Sequence, residues 1–339
     1  MILYIFNLTT DVRLVILLLR SQFVFPRQGI VKGGYSMENQ LSITAIMTAY
    51  MRAFHAAHGN PRIFNDFLAY EFIPEENRKL IEAGFAQALH TDLPAMSEFT
   101  PQQAAAVNNM MQFMGAGNVL SRSEYTEERL EGGLAQGVKQ YIILGAGLDT
   151  FVYRRHDLVE NLQVFEIDHP LTQDFKQQRI SQLGWEMHRN LHMVPVDFNR
   201  DSLIASLQKA SYKTDDLSFF SWLGVTVYLP RERINETLGA IAGVARPGSS
   251  IVFDYMDIAA FNREQAAENV QVSMQTVKEV GEPMLTGFDP EALAEELYNL
   301  GWNLRENLDP GEIEHRYFQG RNDGWHASNH SHLALATVR

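Results

Sequence analysis

A short apolar run that ends in glycines constrains the fold more than any other feature of this chain. The run covers residues 141–144 and is followed directly by Gly145 and Gly147, with Ala146 between them. Such a run is too short for a helix, but it fits a strand buried on both faces of a parallel sheet. The segment is therefore predicted to be a strand, a tight turn and then the start of a helix at Asp149.

Further apolar runs follow at spacings that leave room for crossover helices, which is typical of a doubly wound α/β sheet. A helix is predicted over residues 231–245, before the turn at Pro247 and Gly248. A second helix is predicted to start at Asp289-Pro290 and to end at Gly301. The predicted strands cover residues 141–144, 163–167, 191–194, 217–222, 250–253, 302–305 and 333–338.

The N-terminal half has a different pattern. From Gln40 to Leu130 the apolar residues follow helical spacing, with no convincing strand, and Phe64, Phe67 and Leu68 fit one helical turn. Residues 1–36 are interpreted as an appendage, because charges interrupt any membrane span there and no secretory cleavage site follows. We therefore expect an appendage over residues 1–36, a helical cap over 37–132 and an α/β domain over 133–339.

Composition excludes several classes of function. The 339 residues include no cysteine, so disulfides, thiolate metal sites and a cysteine nucleophile are absent, and a cytoplasmic setting is expected. The formal charge is −13, and no cluster of basic residues suggests a nucleic-acid surface. We expect neither a nucleic-acid partner nor a membrane partner.

Acidic residues follow the next two predicted strands. Asp168 lies about twenty residues beyond the glycines, where a carboxylate can accept both hydroxyls of a ribose. Glu166 shares its face of the strand, so either acid could serve. Asp197 follows the third strand, and Phe198 can cover an adenine ring. A solvated acidic strand end and an ordinary glycine turn are the alternatives.

The glycine pattern separates two classes of cofactor. A dinucleotide fold carries a third glycine that seats a pyrophosphate, whereas Thr150 occupies that position here. The sequence therefore favours an adenosine-type cofactor without a pyrophosphate, although a nicotinamide-dependent oxidoreductase shares much of this layout.

The run from Tyr141 to Arg154, followed by residues 165–170, resembles the leucine carboxyl methyltransferase superfamily. More narrowly, it resembles the bacterial S-adenosylmethionine-dependent O-methyltransferases associated with secondary metabolism. The likeness covers roughly Ser42 to Arg339. It implies a Rossmann-like methyltransferase fold with an N-terminal helical cap, in which a seven-stranded, mostly parallel sheet has an antiparallel last strand. It also implies S-adenosyl-L-methionine as the cofactor.

The resemblance carries over a set of cofactor-binding residues. Asp168 would bind the ribose, Asp197 and Phe198 would frame the adenine, and Arg122 would pair with the methionine carboxylate, with Arg52 as an alternative. A surface role for Arg122 is the competing interpretation. Trp222 is placed beside the cofactor on the aromatic character of its segment, although core packing is equally consistent. The full candidate set is Arg122, Gly145, Ala146, Gly147, Asp149, Asp168, Asp197, Phe198 and Trp222.

The sequence departs from the family pattern at one position. Leu223 stands where many relatives carry a glutamate, so no catalytic residue is assigned. His326, His330 and His332 cluster near the C-terminus, but their spacing does not favour a metal site. The acceptor is expected to be a small molecule, bound through a carboxylate or a hydroxyl under an apolar lid that includes Met96, Phe113 and Met110, Met111 and Met114. A protein C-terminal carboxylate and a non-catalytic binding protein are the alternatives.

Overall fold

The computed structural model describes residues 42–198, 200–279 and 281–339. The predicted appendage at residues 1–36 lies outside this part of the chain. Among the described residues, no helix is both long enough and apolar enough to span a bilayer.

Seven strands form a single mixed sheet in the order β3-β2-β1-β4-β5-β7-β6. Strand β7 runs antiparallel to both of its neighbours, β5 and β6, and the other adjacent pairs are parallel. The predicted fold class is therefore confirmed, including the antiparallel last strand. The strands are β1 (Gln140–Leu144), β2 (Gln163–Asp168), β3 (Leu191–Pro195), β4 (Ser218–Trp222), β5 (Ser250–Met256), β6 (Trp302–Leu308) and β7 (Ser331–Val338).

Nine helices of seven or more residues are present in the described part of the chain, and four of them precede the first strand. They are α1 (Ile43–His58), α2 (Glu75–Ala88), α3 (Pro101–Phe113), α4 (Ala116–Ala135), α5 (Pro170–Gln182), α6 (Leu203–Lys209), α7 (Arg231–Ala242), α8 (Glu268–Glu279) and α9 (Leu293–Asn299). Single helical turns cover Ala69–Phe72, Phe151–Arg154, His156–Val159 and Pro310–Ile313. Short 3₁₀ turns cover Met96–Glu98, Thr226–Tyr228 and Ile258–Phe261, and a π-helical turn covers Glu314–Phe318.

The sheet order places β1 between β2 and β4, so the connections leave β1 in opposite directions. A crevice opens at such a point outside the carboxyl ends of the strands. All five residues of β1 are buried, as expected for a central parallel strand. Helices α1 and α4 pack against each other in the N-terminal half.

Two local predictions were wrong. The last predicted helix begins at Leu293 and not at Pro290, because Asp289 Oδ1 accepts a hydrogen bond from Glu291 N–H and forms a local turn instead. Residues 64–68 contain no helix, and Phe67 is 58% exposed. Turn-forming residues at 59–61 precede this segment, and Asp66 pairs with Arg52 of α1.

Candidate functional site

A cavity of about 500 Å³ lies at the carboxyl ends of β1, β2, β3 and β4. Helices α1 and α4 contribute side chains to its other walls, including Thr48 and Ser123. Eight of the nine predicted cofactor residues line this cavity, and Trp222 does not. The eight are Arg122, Gly145, Ala146, Gly147, Asp149, Asp168, Asp197 and Phe198.

The glycine turn forms the floor of the cavity. Gly145 has a φ of +73° and Gly147 has a φ of +51°, a region that side-chain-bearing residues rarely adopt. The N–H groups of Gly145 and Ala146 donate to the Ile167 carbonyl of β2 at 2.7 and 3.1 Å, which fixes the turn against the next strand. A Cβ atom at Gly145 would overlap the Val225 side chain. The turn therefore needs glycine for both its conformation and its packing.

Asp168 ends β2 directly beside this turn. Its Oδ2 accepts a hydrogen bond from Gly147 N–H at 2.6 Å, and its Oδ1 accepts one from His169 N–H at 2.6 Å. Burial raises the pKa of Asp168, while these two hydrogen bonds favour the ionised form and oppose the rise. A carboxylate oxygen has more than one acceptor position, so both oxygens can still accept hydrogen bonds from a ligand.

Glu166, the alternative acid, is not part of the cavity wall. It is 1% exposed and pairs with the equally buried Lys176 of α5 at 2.5 Å. Burial raises the pKa of Glu166, and the Lys176 ammonium opposes that rise. Glu166 therefore joins strand to helix, and Asp168 is the acid of this strand that reaches the cavity.

The next strand end brings Asp197 and Phe198 to the cavity wall. The Asp197 carboxylate lies 3.7 Å from the Arg200 guanidinium. The Phe198 ring lies 6.3 Å from the Trp222 ring, centroid to centroid. Trp222 is fully buried beneath it, so the structure places this residue in the core and not on the cavity surface.

Arg122 extends from α4 across the turn that follows β4. Its Nη1 donates to Asp254 Oδ2 at 2.7 Å, and its guanidinium packs against Gly224. Asp254 also accepts hydrogen bonds from Gly224 N–H at 2.6 Å and from Asn118 Nδ2 at 3.1 Å. Arg122 is thus held rigidly at the cavity wall by an ion pair that joins α4 to β5.

A second ionic group contains Arg52, the alternative partner predicted for the methionine carboxylate, and the pairing of Arg52 within this group was not predicted. Arg52 Nε donates to Asp66 Oδ2 at 2.8 Å, and its Nη2 donates to the Leu148 carbonyl at 2.8 Å. Thr150, which occupies the position of the third dinucleotide glycine, donates to Asp66 Oδ1 at 2.6 Å. Arg154 pairs with Glu127 and lies 3.6 Å from Asp66. Arg52, Arg154, Asp66 and Glu127 all line the cavity, and the arginines are paired within it.

The segment after α8 also lines the cavity. Leu285 N–H donates to the Val227 carbonyl at 2.7 Å, which holds Glu282 near Tyr228. The Thr44 hydroxyl donates to Glu282 Oε2. Burial, together with the nearby Glu282 carboxylate, raises the pKa of Tyr228 to about 12. Sequence patterns gave no signal for Glu282, because its position depends on contacts with distant segments.

A second cavity of about 180 Å³ adjoins the first, and we call it the apolar chamber. Both cavities are bordered by Thr44, Arg122 and Tyr228. Of the residues predicted for an apolar lid, Phe113 and Met114 line the chamber, whereas Met96, Met110 and Met111 are buried in the core. The long apolar side chains of the wall are Ile43, Met47, Met51, Phe113, Met114, Val119, Val227, Tyr228, Tyr255, Met256, Val270, Val277 and Met284.

Leu223 lies at the cofactor-side cavity, in the position where the resemblance leads one to expect a glutamate. The three C-terminal histidines bond to carboxylates. His330 Nδ1 and His332 Nε2 lie 2.9 and 3.4 Å from Asp257, and His326 Nδ1 lies 3.0 Å from Glu314. His169 lines the cavity, and its Nδ1 accepts a hydrogen bond from Leu171 N–H at 3.3 Å.

Comparison with known proteins gives a consistent family. The family model described as leucine carboxyl methyltransferase matches residues 45–242, which is more than half of the chain. A Bacillus subtilis protein, YktD, is provisionally named an S-adenosyl-L-methionine-dependent methyltransferase. It is 32% identical to this chain over 310 residues, covering 89% of this chain and 99% of YktD.

A second relative carries the same provisional name without a gene designation. This Mycobacteroides abscessus protein is 26% identical over 297 residues, covering 81% of this chain and 91% of the relative. Among solved structures, a DUF574 family protein of Streptomyces avermitilis has a TM-score of 0.52 and 14% identity. That match covers 90% of this chain and all of the other, and it supports the fold alone.

Proposed function

The chain belongs to the leucine carboxyl methyltransferase family, and from this premise we propose that it is an S-adenosyl-L-methionine-dependent O-methyltransferase. Its acceptor is a small, mainly apolar metabolite. The observation that carries the proposal is the meeting of a glycine turn with Asp168 and Asp197 at adjacent strand ends, in a cavity of about 500 Å³. Such a cavity has the size and the polar groups expected of a nucleoside site.

The residues present fit this cofactor. Asp168 would accept hydrogen bonds from the ribose hydroxyls, Asp197 and Phe198 would hold the adenine, and the turn at Gly145 would lie against the ligand. Arg122 would pair with the methionine carboxylate, since its guanidinium has donors beyond the one used by Asp254. Thr150, at the position of the third dinucleotide glycine, donates a hydrogen bond to Asp66. The negative charge of the Asp66 carboxylate disfavours the pyrophosphate of a dinucleotide at this turn.

When bound, S-adenosylmethionine supplies a methyl group on a positively charged sulfur, and the carbon–sulfur bond breaks as an acceptor oxygen forms its bond to the carbon. The protein has to align the two partners and exclude water, and alignment alone contributes several kcal/mol to catalysis, on the order of 7–11 kcal/mol at most. The junction between the two cavities, bordered by Arg122, Tyr228 and Thr44, is suited to this task.

A carboxylate acceptor needs no base, because it is ionised near neutral pH, whereas a hydroxyl acceptor must release its proton. Glu282 is the carboxylate best placed to receive a proton at the junction, since it bonds to Thr44, which borders both cavities. His169 is a second candidate on the cavity wall. The absence of cysteine suits a reducing compartment, so we place this activity in the cytoplasm.

The test is transfer of a radiolabelled methyl group from S-adenosylmethionine to a panel of apolar alcohols, phenols and carboxylic acids. We expect label in an ether or an ester, with S-adenosylhomocysteine as the coproduct. A panel that includes peptides with a free C-terminal leucine tests whether a protein terminus is the acceptor instead. Tight cofactor binding without transfer to any member would favour a non-catalytic binding protein and contradict the proposal.

A further inference from the structure

We propose that the methyl acceptor is an uncharged, apolar molecule that carries a hydroxyl, and that the apolar chamber excludes carboxylate acceptors. This inference rests on the proposed function, because it assigns a substrate class to the same site. The position of the chamber, its wall, its charges and one buried amide oxygen support it.

The chamber is placed where an acceptor would have to lie. It continues directly from the cofactor-side cavity, and both share walls formed by Thr44, Thr48, Arg122, Gly224 and Tyr228. The glycine turn, Asp168 and Asp197 line only the first cavity. A molecule in the chamber therefore reaches the cofactor site across these shared residues, which do not include the nucleoside-binding residues.

Five methionine side chains line the chamber. Met47 and Met51 come from α1, Met114 from the end of α3, Met256 from the end of β5 and Met284 from the segment after α8. Methionine is flexible and polarisable, so it packs against apolar ligands of varied shape. The wall therefore favours an aliphatic or aromatic body.

The charged groups of the chamber neutralise each other. Among the described lining residues, Arg122 and Asp254 are the only ones with a charged side chain, and they form an ion pair at 2.7 Å. Asp254 accepts two further hydrogen bonds, from Gly224 and Asn118. In the proposed complex the remaining donors of Arg122 pair with the methionine carboxylate of the cofactor, so neither charge is left for an ionised acceptor. An unpaired ion is costly to bury in an apolar site.

The adjoining cavity makes a carboxylate still less favourable. Its described lining includes six acidic side chains and three arginines: Asp66, Glu127, Asp149, Asp168, Asp197 and Glu282 against Arg52, Arg122 and Arg154. Each of the three arginines is already paired with a carboxylate. The surplus of negative charge suits a cationic sulfonium and repels an anionic acceptor.

Asn118, on the chamber wall, offers a place for a hydroxyl. Its Nδ2 donates to Asp254, which fixes the orientation of the amide. Its Oδ1 is buried and has no hydrogen-bond partner within the part of the chain that the structure describes. A buried carbonyl oxygen gains from a hydroxyl donor, whereas a carboxylate has no hydrogen to donate.

The experiment compares two ligands of similar shape by calorimetry, on the whole chain saturated with S-adenosylhomocysteine near pH 7. They are para-propylbenzyl alcohol, which is neutral, and para-propylbenzoate, which is anionic. We expect the alcohol to bind at least about tenfold more tightly than the benzoate, because the anion must be buried without a partner. Equal or tighter binding of the benzoate would overturn the proposal, as would failure of both ligands to bind.

Saturation by S-adenosylhomocysteine is measured first, so that the two proposals fail separately. Loss of that binding would contradict the proposed function, whereas normal cofactor binding with a preference for benzoate would contradict only the acceptor class. A positive charge placed in the chamber should then remove most of the preference for the alcohol. In Met256→Lys we expect the benzoate to gain about tenfold over the alcohol relative to the wild type.

The matched control is Met187→Lys, which places the same charge on an exposed surface, because Met187 is 45% exposed and lies outside both cavities. It should leave the ligand preference unchanged. Circular dichroism shows whether Met256→Lys is folded. If it is not, Val277→Lys on α8 places the same charge on the chamber wall at a partly exposed residue. An unchanged preference in the folded chamber variant would contradict the proposal.

Discussion

Arg122 combines a structural position with a binding position at the candidate site. It pairs with Asp254, packs against Gly224 and borders both cavities. The side chains of Arg122 and Asp254 are only 13% and 8% exposed, so water screens their attraction weakly. A simple deletion of Arg122 therefore changes stability and binding together.

The substitution Arg122→Met should destabilise the fold by about 3–5 kcal/mol, because it leaves the buried Asp254 carboxylate without its cation. Adding Asp254→Asn should recover most of that stability. The double variant should still bind S-adenosylhomocysteine at least about tenfold more weakly than the wild type, since the guanidinium donors are missing. Chemical denaturation and calorimetry measure the two effects.

Arg233→Met is the control for this pair, because it removes an arginine from the exposed ion pair with Glu236. Exposed pairs contribute little, so its stability should change by less than about 1 kcal/mol. Wild-type cofactor affinity in the double variant would show that Arg122 has only a structural role.

At the scale of elements, the turn between β1 and the short helix at Phe151–Arg154 sets the position of the site. Gly145→Ala introduces a methyl group that overlaps Val225, in a backbone conformation with positive φ. We expect it to weaken S-adenosylhomocysteine binding at least about tenfold, because the turn must shift to relieve the overlap with Val225. Calorimetry on the purified variant measures the change.

Gly137→Ala is a matched control for that effect. Gly137 also has positive φ, but a Cβ atom there meets nothing within 4 Å. It should cost about 1–2 kcal/mol of stability from backbone strain and leave the cofactor affinity unchanged. Equal binding by the Gly145 and Gly137 variants would show that the turn does not contact the ligand.

Local sequence patterns predicted the site residues that lie at the ends of individual strands. The glycine turn, Asp168 and Asp197 lie at strand ends that are visible in the sequence, and sheet topology brings such ends together. Period-two alternation did not separate Glu166 from Asp168, because both point to one side of β2. The structure separates them, because Lys176 of α5 pairs with Glu166 in the interior. Only Asp168, the last residue of the strand, reaches the cavity.

Contacts between distant segments could not be predicted in this way. Arg122 and Asp254 are 132 positions apart, and Thr44 and Glu282 are 238 positions apart. The packing of α1, α4 and the segment after α8 creates these pairs, and no periodicity encodes it. The same packing sends Met114 to the apolar chamber while Met110 and Met111 enter the core.

At the scale of the whole molecule, His55 links the N-terminal helices to the C-terminal segment. Its Nε2 accepts a hydrogen bond from Ile63 N–H at 2.8 Å, and its ring meets Trp325 edge-on at 5.1 Å. Burial, together with the positive charge of Arg321, lowers the pKa of His55 from 6.5 to about 4. The folded state therefore keeps this ring neutral.

This shift predicts a pH dependence of stability. Between the two pKa values the unfolded chain binds a proton that the folded chain does not, so the free energy of unfolding falls as the pH drops. His55 should account for a loss of about 2 kcal/mol from pH 7 to pH 5. Chemical denaturation at both pH values should show a smaller loss in His55→Gln, whose side chain can still accept from Ile63 N–H.

His326→Gln is the control, since the His326 side chain is 61% exposed. It should show nearly the same pH dependence as the wild type. An identical dependence in the wild type and in His55→Gln would contradict the assignment of a neutral buried ring.

The central claim is that the cavity at the carboxyl ends of β1 to β3 binds the adenosine part of S-adenosylmethionine. Titration of S-adenosylhomocysteine into the wild type, Asp168→Ala and the exposed-site control Asp157→Ala tests it most directly, with NAD as a comparison ligand. We predict tight binding to the wild type and the control, binding at least about tenfold weaker to Asp168→Ala, and no binding of NAD. Unchanged affinity in Asp168→Ala, or binding of NAD alone, would contradict the account.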